Sequence, residues 1–373
     1  MRMESAHKYP SIFTSTHPRT FLLACILSLC AAFPAIAAES EETELVSGPT
    51  LLIYFENDLF YNEDRYYTNA VQARLISPDL RELAENGFLP DGLSRQLSRV
   101  PFPGRKSATQ YNISVGVGQH IYTPKDTQVT TLQKDDRPYA GYLYGLLALH
   151  AKQEDRLDTL ELAAGVIGPS ALSKQSQNEV HRIRDIDTAK GWKHQLRDEP
   201  ALMLTWTRVW RLKAPLIAGK FGWDILPRIG ASAGTPYTRA GFGGEARLGW
   251  NLPNDFGSST IRPGSGINRP AGDVAANPLP AKKSGNSLLD NVSIYIFGGA
   301  DGQAVWHNTF LDGNLWKDSH SVDKFPLAGE LSWGIATNIH GFHISYTHVY
   351  RAKEFHGQSR EQNFGSITVG YRF

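Results

Sequence analysis

The sequence predicts an all-β protein, a twelve-stranded antiparallel transmembrane β-barrel of the bacterial outer membrane. Short runs of alternating apolar and polar residues recur along the chain, as expected for strands with one apolar and one polar face. The chain ends on an alternating aromatic strand whose last residue is Phe373, an ending typical of such barrels. An export leader precedes the first strand. These three observations carry the prediction.

Residues 1–37 are predicted to be a signal peptide. Arg2, Lys8 and Arg19 give a basic start, and a largely apolar run follows from Phe21 to Phe33. The small residues around Ala37 then supply a cleavage site. The apolar run is too short for a good transmembrane helix, so an uncleaved anchor is the lesser alternative.

The composition of the remaining residues 38–373 limits the possible function classes. Cys25 and Cys30 both lie in the leader, so a mature chain has no disulfide to hold it. The chain has 38 basic and 37 acidic residues, and the leader holds three and one of them. The balance that remains, 35 against 36, gives no support to nucleic-acid binding. No later segment has about eighteen consecutive apolar residues, so no helical span is expected.

Twelve strands are expected in one barrel domain, an even number as closed single-chain barrels of this type require. In order they are 49–57, 66–76, 109–122, 140–154, 156–168, 200–212, 219–233, 237–252, 292–307, 325–338, 341–354 and 363–373. Gly and Ser alternate with apolar residues in the third strand, which predicts a tight or polar lumen. A soluble β-sandwich, or two small all-β domains, would show the same alternation but would not explain the terminal Phe373.

Four long connections join these strands, at 77–108, 123–139, 169–199 and 253–290. The first contains spaced leucines and is expected to be partly helical. The last is rich in Pro, Gly, Ser and Asn and is expected to be loosely packed or disordered. The third reads as a polar loop between two strands, and loops of that length often carry function.

The parity of an even-stranded barrel predicts where the connections lie. With both termini in the periplasm, connections after odd strands face the cell exterior. The connections after the first, third and fifth strands therefore share the outer rim. Residues 77–108 and 253–290 fall on the opposite side.

Polar residues end the first strand at Asn57 and Asp58, and Thr68 lies across from them in the second. Carboxylate and amide oxygens are hard ligands suited to calcium, and an Asn amide can stabilise an oxyanion. An Asx-turn at a hairpin mouth would use the same residues. Both interpretations remain open from the residues alone.

The second outer connection carries Lys125, Lys134 and Arg137. Basic side chains there could pair with a phosphorylated glycolipid, and Arg often does so through two hydrogen bonds. A solvated loop charge is the alternative for each lysine.

His181 lies in the third outer connection with acidic residues on both sides, at Glu179, Asp185 and Asp187. Histidine is the commonest general base near neutral pH, and a neighbouring carboxylate can orient it. The residues alone do not separate a catalytic histidine from an ordinary one.

The sequence resembles the outer-membrane lipid A 3-O-deacylase family. The segments that carry the resemblance are Asn57-Asp58, Tyr67-Thr68, Ile121-Tyr122-Thr123-Pro124, Asp136-Arg137, Gly165-Val166-Ile167-Gly168-Pro169, Gln177-Asn178 and His181-Arg182-Ile183. They span the first half of the mature chain. The second half matches by its barrel pattern and its ending.

The resemblance implies a calcium-dependent esterase that removes an ester-linked 3-O acyl chain from lipid A of lipopolysaccharide. His181 would activate water, and Asn57, Asp58 and Thr68 would form the polar site, with Ca²⁺ on Asn57 and Asp58. Asp187 has the spacing of the family's acidic residue, although a Glu is expected there. Gln177 and the basic residues Lys125, Lys134 and Arg137 would contact substrate. The implied partners are lipopolysaccharide, outer-membrane lipids and the barrel-assembly machinery, with the active site facing the cell exterior.

Two other functions remain as alternatives. A non-enzymatic pore or adhesin would not cluster polar side chains at one point of the outer rim. A serine-type outer-membrane phospholipase would use a His-x-Ser pair, and His343-Ile344-Ser345 has that spelling. Parity places this pair near the periplasmic rim, which disfavours the second alternative.

Overall fold

The computed structural model describes residues 48–61, 65–84, 87–213, 220–257, 260–261 and 292–373. The predicted signal peptide, residues 1–37, and most of the predicted connection 253–290 lie outside these ranges. The strands are β1 Thr50–Asn57, β2 Tyr66–Ile76, β3 Gln110–Thr123, β4 Ala140–Lys152, β5 Arg156–Ile167, β6 Glu199–Trp210, β7 Phe221–Gly234, β8 Tyr237–Trp250, β9 Val292–Asn308, β10 Leu327–Ile339, β11 Phe342–Arg351 and β12 Gln362–Arg372. A two-residue strand, Leu212–Lys213, continues β6 past Arg211 and pairs with β7.

The strands close into a barrel. Each pairs antiparallel with its neighbour along the chain, and β12 returns to β1 with Thr50 opposite Arg372. This closed pairing confirms the predicted twelve-stranded antiparallel barrel. Closure leaves no free sheet edge. Among the described residues, no helix is long and apolar enough to cross a membrane.

The two faces of the barrel wall differ in polarity. Inward-facing side chains include buried ion pairs, such as Arg74 with Glu161 at 2.7 Å and Arg247 with Asp224 at 2.7 Å. Outward-facing Leu162, Leu202, Ile296 and other large apolar side chains are exposed. We call the outward face the outer wall. The lumen is polar, as predicted.

An aromatic layer crosses the lumen. The Tyr122 ring stacks on Phe310 with centroids 4.2 Å apart, and Tyr67, Tyr142 and Phe364 belong to the same buried cluster. Phe310 comes from the connection between β9 and β10, so this connection folds into the barrel mouth and helps to fill it.

The connections after odd strands gather at the rim opposite the termini, which we call the distal rim. Among the described residues, three helices occur in connections: α1 Asp91–Leu97, α2 Ser173–Ile183 and α3 Thr309–Asp312. Single 3₁₀ turns occur at Asp58–Tyr61, Arg105–Ser107, Pro169–Ala171 and Trp192–His194. Helix α1 lies in the first long connection, which confirms its partly helical prediction.

The connection after β8 begins inside the barrel and is not loosely packed there. The Asp255 carboxylate pairs with buried Arg247, and the backbone N–H of Ile261 donates to Glu56 Oε1 at 2.7 Å. An ion pair with a buried arginine outweighs the Pro- and Gly-rich composition that predicted looseness. Residues 251–257 and 260–261 thus lie against the lumen wall.

Candidate active site

One row of outward-facing residues crosses four strands at the distal rim. Asn57 of β1 lies opposite Asn69 of β2, Asn69 opposite Ile121 of β3, and Ile121 opposite Gly141 of β4. All four face the outer wall, because their inward-facing neighbours line the lumen. Neighbouring strands are about 4.8 Å apart, so about 10 Å separates Asn57 from β3.

Thr68 joins this row through a β-bulge. The β2–β3 register shifts between Tyr67 and Asn69, so Thr68 is the extra residue. Its hydroxyl lies 2.7 Å from the hydroxyl of Thr123. A bulge re-aims side chains at the end of a ladder, and here it brings Thr68 to the same part of the distal rim as Asn57.

Helix α2 packs on the outer wall above β3 and β4. The Gln119 side-chain amide donates to the carbonyl of Ala171 at 2.6 Å, and the Ser173 hydroxyl donates to the carbonyl of His120. A Cβ at position 141 would overlap the Ser173 hydroxyl, so only Gly141 permits this close approach.

The face of α2 that packs on the wall is polar. Its buried residues are Ser173, Gln177 and His181, spaced four apart on one side of the helix. Gln177 Oε1 accepts a hydrogen bond of 2.8 Å from Trp192 Nε1, and buried Trp192 packs with Ile121 of the outer wall. The prediction that this stretch is a loop was wrong, because a helix that buries polar residues lacks the apolar periodicity by which helices are recognised.

His181 ends this buried face and is 1% exposed. Its Nδ1 lies 2.7 Å from the backbone carbonyl oxygen of Asp187. A carbonyl only accepts hydrogen bonds, so Nδ1 is the donor, and Nε2 is the basic nitrogen of the neutral ring. The chain turns back at Ile186, whose N–H donates to the carbonyl of His181, and this turn brings the Asp187 carbonyl to the ring.

Asp187 contacts the histidine in a different way from the predicted one. Its side chain is exposed, and its hydrogen bond with His181 runs through the main chain. The backbone path of residues 184–189 therefore brings a carbonyl oxygen to the ring.

Asn57 and Asp58 are both buried at the end of β1. Asp58 Oδ2 accepts the backbone N–H of Arg65 at 2.6 Å, which ties the two sides of the β1–β2 connection together. In the part of the chain that the structure describes, no group of three His, Cys, Asp or Glu could hold a metal ion. The oxygens of Asn57, Asp58 and Thr68 fit calcium in kind, and further ligands would have to be backbone carbonyls or water.

The predicted basic residues differ in burial and in the side of the wall on which they lie. Lys125 and Lys134 are exposed in the β3–β4 connection. Arg137 is buried beneath the distal mouth, where its guanidinium lies 4.8 Å from the centroid of the inward-facing Tyr122 ring and pairs with Glu354 at 3.3 Å. The structure thus places Arg137 on the lumen side of the wall.

The carboxyl group of Asp136, which precedes Arg137, has a shifted pKa. Asp136 accepts the backbone N–H groups of Lys125 and Arg137, each at 2.8 Å. Burial nevertheless raises the pKa of Asp136 above its usual range. These contacts hold the β3–β4 connection against the barrel mouth.

The 3₁₀ turn Asp58–Tyr61 forms a second protrusion on the outer wall. Phe60 covers Gly365 of β12 so closely that a Cβ there would lie 2.7 Å from the Phe60 ring. The outer wall between this turn and helix α2 carries Asn57, Thr68 and Thr123, and we call this part of the wall the outer-wall cleft. Helix α2 bounds this outer-wall cleft on one side and the turn bounds it on the other. Sequence reasoning missed the turn, because Phe60 and Tyr61 resemble ordinary rim aromatics.

The family model described as outer membrane protein LpxR matches residues 21–373 of this chain. The chain belongs to the LpxR family. It is therefore an outer-membrane β-barrel.

Two solved structures are similar to this chain to different degrees, and the first of them shows the same fold. LpxR from Salmonella typhimurium matches with a TM-score of 0.65 and 16% sequence identity, covering 87% of this chain and 100% of that chain. The translocator domain of autotransporter NalP from Neisseria meningitidis matches with a TM-score of 0.34 and 8% identity, covering 94% of this chain and 96% of that one. A search of curated proteins found no match.

The serine-hydrolase alternative fits this LpxR-family barrel poorly. His343 and Ser345 both face the lumen near the rim that holds the termini, away from the outer-wall cleft. His343 Nδ1 lies 2.7 Å from Asn338 Oδ1, but no contact between His343 and Ser345 side chains is present among the described residues. A lipid ester on the outer wall could not reach this pair.

Proposed function

We propose that the chain is an esterase that hydrolyses the 3-O-linked acyl ester of lipid A in lipopolysaccharide. The observation that carries the proposal is the position of His181. It is a buried residue of α2, and α2 packs on the outer wall at the distal rim. An ester of a membrane lipid, near the level where headgroup meets acyl chain, would approach the barrel from this side. Membership of the LpxR family supports the same substrate class.

The geometry of His181 supports its role as general base. Because the Asp187 carbonyl fixes the proton on Nδ1, Nε2 can take a proton from water as that water attacks the ester carbonyl. The attack forms a tetrahedral intermediate with a negatively charged oxygen. Its collapse breaks the bond to the sugar oxygen, and the protonated His181 returns its proton to that leaving oxygen. Free fatty acid and a lipid A hydroxyl are the products.

The floor of the cleft provides groups that can stabilise the charged oxygen. The Asn57 amide and one of the paired Thr68 and Thr123 hydroxyls can donate hydrogen bonds, because the other hydroxyl donates within the pair. Such bonds have most effect in a site shielded from water. Asn57 and Asp58 are the residues that would hold a calcium ion. When bound, calcium would supply positive charge beside the developing oxyanion.

The proposed site faces the cell exterior. In even-stranded barrels both termini lie in the periplasm, which would put the distal rim outside. The substrate would then be lipopolysaccharide of the outer leaflet. Outer-membrane lipids would surround the wall, and the barrel-assembly machinery would insert the chain.

Mass spectrometry of lipid A from cells with and without the protein tests the proposal. We expect lipid A to lose one ester-linked hydroxyacyl chain when the protein is present and folded in the membrane. Identical lipid A spectra from both cells would contradict it.

A further inference from the structure

The turn Asp58–Tyr61 places an aromatic group on the outer wall beside the cleft. Phe60 packs edge-on against Phe55 and against Tyr346 of β11, with centroids 6.2 Å and 5.9 Å apart. Tyr61 follows Phe60 across β12 and reaches the same strand, where its hydroxyl lies 3.0 Å from that of Tyr346. The loop that begins with Asp58 therefore extends over two strands of the wall.

A chain of hydrogen bonds continues from Tyr61. Its hydroxyl contacts His348 Nδ1, and His348 Nε2 lies 3.1 Å from Asn363 Oδ1. The His348 ring stacks on Trp333 with centroids 4.0 Å apart and planes 18° apart. We call Tyr61, Trp333, Tyr346, His348 and Asn363 the His348 cluster.

The hydrogen-bonding roles in this cluster are mutually consistent. Nε2 donates to Asn363 Oδ1, so Nδ1 accepts from the Tyr61 hydroxyl, whose oxygen accepts from Tyr346. Among the described residues, the side-chain amide N–H groups of Asn363 have no hydrogen-bond acceptor and remain available as donors. Trp333, Tyr346 and Phe60 are 49%, 37% and 40% exposed.

Strand register places the cluster beside the catalytic row. Asn57 lies opposite Gly365, Gly365 opposite His348, and His348 opposite Trp333. Because these positions share the outer wall, His348 is two strands from Asn57, about 10 Å away. Helix α2, which carries His181, lies on the other side of Asn57, on β3 and β4. Asn57, Thr68 and Thr123 thus lie between α2, which carries His181, and the His348 cluster.

The chemistry of the cluster points to an amphipathic ligand. A histidine, an amide and two phenol hydroxyls on a membrane-facing wall are costly against acyl chains alone. Exposed aromatic rings beside such groups match a ligand that has both hydroxyl groups and flat aliphatic faces. A saccharide headgroup that carries acyl chains has both.

We propose that the His348 cluster is a binding site for the saccharide headgroup of the glycolipid substrate. The inference rests on the proposed lipid A esterase function and adds the group that positions the substrate. With the headgroup bound to the His348 cluster, the ester would lie over Asn57, on the side of the cluster that faces α2 and His181. The Phe60 contact with Gly365 holds the turn Asp58–Tyr61 in place.

Equilibrium binding separates this site from catalysis. The parent protein carries His181→Ala, so lipid A in detergent micelles is bound without being consumed. His348→Phe and Tyr61→Phe are added singly, because each keeps an aromatic ring and removes hydrogen-bonding groups. Trp223→Leu is the matched control, since Trp223 is an exposed outer-wall aromatic on β7, at 43% exposure, far from the cleft.

We expect His348→Phe and Tyr61→Phe each to weaken the binding of lipid A about tenfold, because each breaks the hydrogen-bond chain that orients the Asn363 amide, and tenfold is the upper range for a lost hydrogen bond. Trp223→Leu should leave Kd unchanged. Equal Kd values in all variants would overturn the proposal and would make the cluster an ordinary interfacial aromatic belt. Equal weakening by Trp223→Leu would overturn it too. Heat-modifiable gel migration checks that each barrel is folded.

The two proposals fail in different ways. If wild-type protein leaves lipid A uncleaved, the esterase proposal fails, and the Kd series still decides whether the cluster binds the headgroup. If wild-type protein cleaves lipid A but the Kd values are equal, only the His348 proposal fails.

Discussion

At the residue scale, the orientation of His181 depends on a backbone carbonyl. From the sequence, a neighbouring carboxylate could orient the ring, and in the structure the main-chain carbonyl of Asp187 lies 2.7 Å from Nδ1. Sequence spacing could identify the segment. It could not show which atom of Asp187 reaches the ring, because that depends on the backbone path of residues 184–189.

Asp187→Asn should therefore retain turnover within about twofold of wild type. The substitution keeps the backbone carbonyl that accepts from Nδ1 and removes only an exposed charge. Initial rates on lipid A, with an Asp185→Asn protein as the neighbouring control, measure this. A loss of about 10²-fold in the Asp187→Asn protein would assign the role to the carboxylate.

Calcium dependence is also a prediction about individual residues, Asn57 and Asp58. A chelator should abolish esterase activity, and calcium should restore it better than magnesium, because flexible oxygen sites favour the larger ion. Asp58→Asn should raise the calcium concentration needed for half-maximal rate, since a carboxylate is lost. Full activity in excess chelator would contradict the metal role.

At the element scale, the position of α2 determines whether a site exists. All twelve strands could be predicted, because period-two alternation is a direct consequence of a wall with two different faces. Helix α2 could not, because its buried face is Ser173, Gln177 and His181. The bulge at Thr68 also escaped prediction, since a single inserted residue barely changes the alternation.

Gly141→Val tests the docking of α2. A side chain at this position would displace Ser173 and move His181 away from the floor, and small misplacements of this kind cost roughly 10²-fold in rate. Gly145→Val is the control, because it lies on the same face of β4 with nothing nearer than 3.8 Å to its Cβ. Initial rates on folded protein measure both, and equal rates would show that α2 tolerates displacement.

At the scale of the whole molecule, described residues fill part of the lumen, and the proposed active site lies on the outer wall. The aromatic layer around Phe310 fills the distal part, and residues 251–257 and 260–261 lie within the barrel. The polar lumen was predictable from inward Gly and Ser. The entry of a connection into the lumen could not be predicted. It depends on the ion pair between Asp255, in the connection, and Arg247, in the barrel wall.

Planar bilayer recordings should show no stable conductance steps at pH 7 or at pH 5. Burial opposes ionisation of Asp255, but Arg247 and Arg211 outweigh it and hold the pKa of Asp255 below its usual range. A carboxyl with a depressed folded-state pKa stabilises the fold above its unfolded value of about 3.9, and this is lost only as pH falls through the folded-state pKa. Acidification to pH 5 should therefore leave the segment in place. Stable porin-like steps at either pH would support the pore alternative.

The central claim is that His181 on the outer wall is the general base of an esterase. Purified, folded wild-type, His181→Ala and His343→Ala proteins are compared in turnover of lipid A, followed as release of free hydroxy fatty acid. We predict that His181→Ala loses roughly 10²–10⁴-fold in kcat, the usual contribution of general acid–base catalysis, with the barrel still folded. His343→Ala, in the lumen, should keep nearly normal turnover. Near-normal turnover without His181, or a collapse of activity in a folded His343→Ala protein, would contradict the account.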